Sequence, residues 1–132
     1  MICNDSNYPE VARAIAAQGA AAMFIPTNNS LPLEKADAVA QARKVDIATA
    51  RDNTKSIIRA DVAGSAAGRV SYGSSCIVDS NGTVLLAGRP LTEDLLVAEI
   101  DTGTPARPLG HPDGSWAVQQ TLNLARNQCR LF

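Results

Sequence analysis

Apolar residues along this chain recur at two spacings, and the switch between them lays out the elements. From residue 9 to residue 19, Val11 and Ile15 fall four apart with Ala12 and Ala16 beside them, the spacing of one helix face. Pro9 opens that helix where an amide hydrogen would be unpaired in any case, Glu10 suits the positive end of its dipole, and Gly19 marks its end. Its small side chains suit close packing on a sheet. Residues 21–25 then form a short apolar run halted by Pro26, which predicts a buried strand. A polar loop over 27–33 leads to a second helix over about 35–52, where Ala38, Ala42, Val45 and Ala48 return to helical spacing.

Residues 56–62 read as a strand, and residues 64–68, bracketed by two glycines, as a flexible turn region. The strongest local signal is a hairpin: apolar runs at 75–78 and 83–86 flank Asp79-Ser80-Asn81-Gly82, and Asn-Gly supplies the positive φ angles a tight turn needs. Residues 95–100 make a further strand candidate. After Asp101 the frequent glycines and prolines break regular structure, and 116–130 is a weak helix candidate without an apolar stripe. The pattern predicts an α/β domain over 1–101 followed by a Pro/Gly-rich tail over 102–132, with a short helix in it.

Composition narrows the class. A chain of 132 residues supports one modest domain, burying roughly two-thirds of the surface its unfolded form exposes. Twelve basic residues stand against thirteen acidic ones without blocks of either sign, which argues against nucleic acid or a polybasic membrane contact. No apolar stretch approaches the roughly 20 residues of a membrane helix, and the first residues lack the pattern of a signal peptide, so the expected location is cytoplasmic. Cys3, Cys76 and Cys129 are widely spaced, and His111 is the single histidine. Reduced thiols are the plainer expectation than a disulfide framework or a zinc site. The glycines at 64, 68, 73 and 82 form no phosphate-binding pattern, so no nucleotide cofactor is implied.

Cys3 is the residue with a physical route to chemistry. It ends the short apolar opening and precedes the polar turn Asn4-Asp5-Ser6-Asn7 that leads to the Pro9 helix. Amide ends at such a bend lower a thiol's pKa, and the bend can lift sulfur into a cleft. The backbone N–H of Asn4 could receive negative charge developing on an attacked carbonyl oxygen. From spacing and composition alone, an inert buried thiol near a frayed terminus is the plainer reading of Cys3, and packing is the plainer role for Cys76 and Cys129. His111, in a loop between Gly110 and Pro112, could partner Cys3 only through the fold.

The segment Ile2-Cys3-Asn4-Asp5-Ser6-Asn7-Tyr8-Pro9-Glu10 resembles the nucleophile segment of the carbon–nitrogen hydrolase, or nitrilase, superfamily. Amidase-like members of that superfamily carry Cys-Tyr-Asp, two variable residues, then an aromatic followed by Pro-Glu; here Asn4 stands at the tyrosine position. The order of Met23-Phe24-Ile25-Pro26, Ala50-Arg51-Asp52-Asn53, Ala60-Asp61-Val62-Ala63-Gly64 and Tyr72-Gly73-Ser74-Ser75 is similar to successive segments of the family's second half, over residues 1–101.

The resemblance implies part of a four-layer α-β-β-α sandwich and a Cys-Glu-Lys triad acting on amides, carbamoyl groups or nitriles. Cys3 would be the nucleophile, the Asn4 N–H an oxyanion donor, and Thr27 and Asn28 substrate-pocket residues; no cofactor or metal is implied. The family places its glutamate and lysine ahead of the cysteine, and neither Glu10 nor Lys35, Lys44 or Lys55 stands in those places. The chain is therefore expected to be the C-terminal portion only, with the N-terminal half absent and supplied in cis or in trans, and to be inactive or impaired alone. The alternatives are a separately encoded half needing a complementary chain, and a non-catalytic interaction domain. Homo-oligomer formation is a further expectation from the family.

Overall fold

Helices on one face and strand pairing across the other dimension organise the computed structural model, which describes residues 1–32, 35, 37–66 and 68–103. A 3₁₀ turn over Cys3–Asn7 runs into α1 (Pro9–Ala17), with Pro9 at its first position and Glu10 in its first turn. Gly19 ends α1 at φ +84°. Its amide donates to the Ala16 carbonyl at 3.0 Å and that of Ala20 reaches the Ile15 carbonyl at 3.5 Å, the paired bonds of a Schellman cap. β1 (Ala22–Thr27), β2 (Ser30–Leu31) and α2 (Asp37–Asn53) follow, then β3 (Ser56–Asp61), β4 (Ala63–Ala66), β5 (Arg69–Tyr72), β6 (Cys76–Val78) and β7 (Val84–Ala87). No helix among the described residues is long and apolar enough to cross a membrane.

The larger sheet has the order β1-β3-β6-β7. β1 and β3 are parallel, as the α2 crossover between them requires, and the remaining pairs are antiparallel. Register places Met23, Ile57 and Val78 in one row and Ile25, Arg59 and Cys76 in the next. Those apolar residues, with Ala12 of α1 and Ala50 of α2, form the buried core, so both helices cover this face. On the opposite face Phe24, Ile58, Ile77 and Leu86 line up across all four strands, and Phe24 is 65% exposed there.

Three sequence expectations are corrected. β1 continues through Pro26 rather than stopping at it, because β1 is an edge strand and an edge tolerates a residue without an amide hydrogen. Residues 63–72 are not only a turn: β4 and β5 pair with each other and with β2 as a second, three-stranded antiparallel sheet. Residues 95–100 form no strand, and Leu95 and Val97 are exposed. The core closes between the helices and one face of the larger sheet, where Ile25, Ile57 and Val78 are fully buried.

The predicted hairpin is present. The Asp79 amide donates to the Thr83 carbonyl at 2.9 Å, the Gly82 amide to the Asp79 carbonyl at 3.0 Å, and the Asp79 carboxylate accepts the Asn81 and Thr83 amides. Gly82 sits at φ +89°, and a Cβ there would lie 3.2 Å from the Ile47 carbonyl oxygen. Gly82→Ala is expected to lower the unfolding free energy by about 1–2 kcal/mol, the cost of a left-handed non-glycine residue. Urea unfolding at constant m checks this, and an unchanged midpoint would show that the turn relaxes freely.

Candidate active site

The segment ahead of α1 folds tightly because its polar side chains close on its own backbone. The Asp5 carboxylate accepts the Ile2 amide at 2.9 Å, and the Asp5 amide donates to the Ile2 carbonyl at 2.9 Å. Asn7 Nδ2 donates to Asn4 Oδ1 at 3.0 Å, and Ser6 Oγ donates to the Cys3 carbonyl at 2.8 Å. Cys3 opens this turn at φ +43°, a left-handed conformation that costs a non-glycine residue about 1–2 kcal/mol. Such strain persists only where the surroundings over-determine it.

Cys3 is a half-buried free thiol. It lines a cavity of about 250 Å³ together with Asn4, Ser6, Asn7, Asn29, Leu31, Gln41, Ala42 and Arg59. Four carboxamide residues therefore share the lining with Cys3, and Arg59 is the one charged residue in it. Carboxamides offer both donors and acceptors, so the cavity can orient a small polar group beside sulfur.

Beneath the cavity lies a polar cluster that the hydrophobic pattern conceals. Arg59 is 4% exposed and Asp46 is fully buried. They meet through two parallel hydrogen bonds, Nε to Oδ2 and Nη2 to Oδ1, each 2.6 Å. Arg59 Nη1 also donates to Thr27 Oγ1 at 2.8 Å and Nη2 to Ser6 Oγ at 3.0 Å. Burial alone would push the guanidinium's pKa down; the hydrogen bonds and charge of Asp46 outweigh it and hold the group above its ordinary value. A second carboxylate, Asp61, fixes the loop after β1: it accepts the Asn29 amide at 3.2 Å and the Ser74 amide and hydroxyl at 2.9 and 2.6 Å.

Of the sequence-predicted site residues, Cys3 and Asn4 line the cavity. Thr27 is 7% exposed, and its hydroxyl bridges Arg59 and the Ile25 carbonyl. Asn28 borders a separate open depression with Ser71, whose hydroxyl donates to Asn28 Oδ1 at 3.3 Å. The loop instead brings Asn29 into the lining of the cavity that Cys3 shares. Glu10, Lys35 and Lys44 are exposed, Lys55 is half-buried, and none of them lines the cavity. Cys76 is buried in the core, its thiol directed to Asp46 Oδ2 at 3.6 Å. Among the described residues no group of three or more His, Cys, Asp or Glu side chains could hold a metal ion. His111, Cys129 and the predicted tail helix lie outside the described residues.

Sequence reasoning missed Ser6, Asn29, Gln41, Asp46 and Arg59. Asp46 lies four residues before the buried Ala50, on the same face of α2, and Arg59 follows two isoleucines in β3. An acid and a base at inward positions of two elements were the available signal.

Comparison with known proteins gives this geometry a lineage. The carbon-nitrogen hydrolase family model matches residues 1–107. A carbon-nitrogen hydrolase from Helicobacter pylori G27 is 25% identical with a TM-score of 0.72, over 77% of this chain and 39% of that one. Nit3 of Saccharomyces cerevisiae, a branch 10 member of the nitrilase superfamily, is 25% identical with a TM-score of 0.59, over 70% and 33% of the two chains. The amidase from Nesterenkonia sp. AN1 is 29% identical with a TM-score of 0.56, over 68% and 34%. A variant of that amidase carries the acetamide moiety of fluoroacetamide added covalently at its active-site cysteine. A comparison with curated proteins finds no match. The matched part of this chain thus spans between a third and two-fifths of the length of these structures.

The match corrects two expectations drawn from the sequence. It runs from residue 1 and takes in most of the chain, so the description as a C-terminal portion only is not upheld. The α/β nitrilase-like arrangement is likewise present from the first residues, and the description of a sandwich with its N-terminal half absent falls with it. Matched over residues 1–107 of its 132, the chain belongs to the carbon–nitrogen hydrolase family.

Proposed function

We propose that Cys3 is the acyl-accepting nucleophile for hydrolysis of a small amide, carbamoyl compound or nitrile. The observation that carries this reading is a free thiol on a left-handed backbone, lining a carboxamide-lined cavity, in a chain of this family. With an amide, the Cys3 thiolate forms a C–S bond at the carbonyl carbon, the C–N bond breaks, and the amine leaves with a proton. Water then adds to the thioester, the C–S bond breaks, and the acid departs as the thiol is restored. The Asn4 N–H donates to the oxyanion in both steps. Thr27 supports the pocket through Arg59, and Asn28 through the adjoining Asn29.

The cavity presents no carboxylate or lysine among the described residues, and proton transfer at both steps needs a general base. We therefore assign the base and a stabilising ammonium to a complementary polypeptide, and impaired turnover to this chain by itself. The outward apolar row through Phe24 and Leu86 favours a second reading, a non-catalytic interaction domain.

Mass spectrometry after incubation with fluoroacetamide separates the two. The nucleophile reading expects one acetamide adduct, formed as fluoride leaves, located on Cys3 and absent from Cys3→Ala. Whatever ammonia the chain releases from short amides and nitriles should be lost in the same variant. Turnover that survives Cys3→Ala would overturn the nucleophile, and full-rate turnover by the isolated chain would overturn the assigned partner.

A further inference from the structure

We propose that Arg59 is a positioning residue that holds Cys3 in its reactive conformation through the hydroxyl of Ser6. The inference rests on reading Cys3 as the nucleophile. A guanidinium only donates hydrogen bonds. Where Arg59 Nη2 donates to Ser6 Oγ at 3.0 Å, the serine hydroxyl must accept, and its single hydrogen is left for another acceptor. That acceptor is the Cys3 carbonyl at 2.8 Å. Arg59 thereby fixes the direction of a hydroxyl that would otherwise rotate freely, and the hydroxyl fixes the peptide following the thiol.

Thr27 shows the same logic on the other side. Its Oγ1 accepts from Arg59 Nη1 at 2.8 Å and donates to the Ile25 carbonyl at 3.2 Å. The guanidinium cannot swing between these tasks, because the two 2.6 Å bonds it donates to Asp46 fix its plane. One planar group therefore ties α2, β1 and β3 to the turn that carries Cys3, where the backbone is held at φ +43°. Arg59 reaches the turn that carries Cys3 through the Ser6 hydroxyl.

The test is the pH profile of Cys3 alkylation by iodoacetamide in the full chain, for wild type, Ser6→Ala, Ser6→Thr and Arg59→Lys, with urea midpoints confirming that each is folded. The expected result is a high-pH plateau about tenfold lower in Ser6→Ala, within the factor of 5–30 that the strain of the Cys3 backbone represents. Ser6→Thr, which keeps the hydroxyl, should return toward the wild-type rate, a rescue that a purely structural role for Ser6 would not produce. If Arg59→Lys does not fold, the serine pair alone decides. A Ser6→Ala plateau unchanged or raised overturns the positioning role while leaving the nucleophile intact. If wild-type Cys3 takes up no acetamide group in the folded protein, the nucleophile reading fails and the positioning role fails with it.

Discussion

Asp46→Ala should cost about 3–5 kcal/mol of folding stability, the range seen when one partner of a buried ion pair is removed. The reason lies in what remains. Arg59, 4% exposed, cannot shed its proton at any accessible pH, and would keep only the Thr27 and Ser6 hydroxyls as acceptors. Two neutral acceptors do not replace a carboxylate that accepts two parallel 2.6 Å bonds along one edge of the guanidinium. Against a typical total of about 5–15 kcal/mol, the loss would leave the variant marginal. Replacing both residues by apolar ones, Asp46→Leu with Arg59→Met, removes both charges together and should recover most of the loss. Urea unfolding of the single and double variants checks the pair. A single variant that loses less than about 1 kcal/mol would show the charges to be solvated, as exposed pairs are.

That cluster also marks where sequence reasoning stopped. α1, α2, β1, β3 and the β6–β7 hairpin were legible because each rests on a local signal: Pro9 and Gly19 around α1, the Asn81-Gly82 turn, apolar runs between breakers. β4 and β5 were not, because Ala63-Gly64-Ser65-Ala66 carries no alternation and becomes a strand only through its partner. The opposite failure is residues 95–100, apolar enough for a strand but unpaired among the described residues. A strand is a tertiary decision in both cases. Ala48, placed on the apolar stripe of α2 by its spacing, is exposed, and the inward positions fall to Asp46 and Ala50. At the site, the resemblance of residues 2–10 pointed to Cys3 and Asn4, and both line the cavity. Arg59 was not readable, since an arginine in an amphipathic strand reads as solvent-facing until its partner is known to face it from a helix.

The thiol of Cys76 carries the last large effect, and it appears in alkali. Burial first, then the charge of Asp46, push this thiol from 9.0 up to about 11, while Arg43 and Arg59 oppose them. Below pH 9 both folded and unfolded chains keep the proton and the group contributes no pH dependence. Between pH 9 and about 11 the unfolded chain gives up its proton and the folded one does not, so stability falls as pH rises. The slope should approach about 1.4 kcal/mol per pH unit and sum to about 3 kcal/mol across the window. Cys76→Ala should start from lower stability, because a side chain that is fully buried leaves a small cavity. It should nonetheless decline less steeply from pH 9 to 11, since the substitution removes the Cys76 contribution. Urea unfolding at unit pH steps measures the difference in slope. Parallel curves for the two proteins would mean that the Cys76 thiol ionises as readily in the core as in water, and that the Asp46–Arg59 cluster beside it is open to solvent.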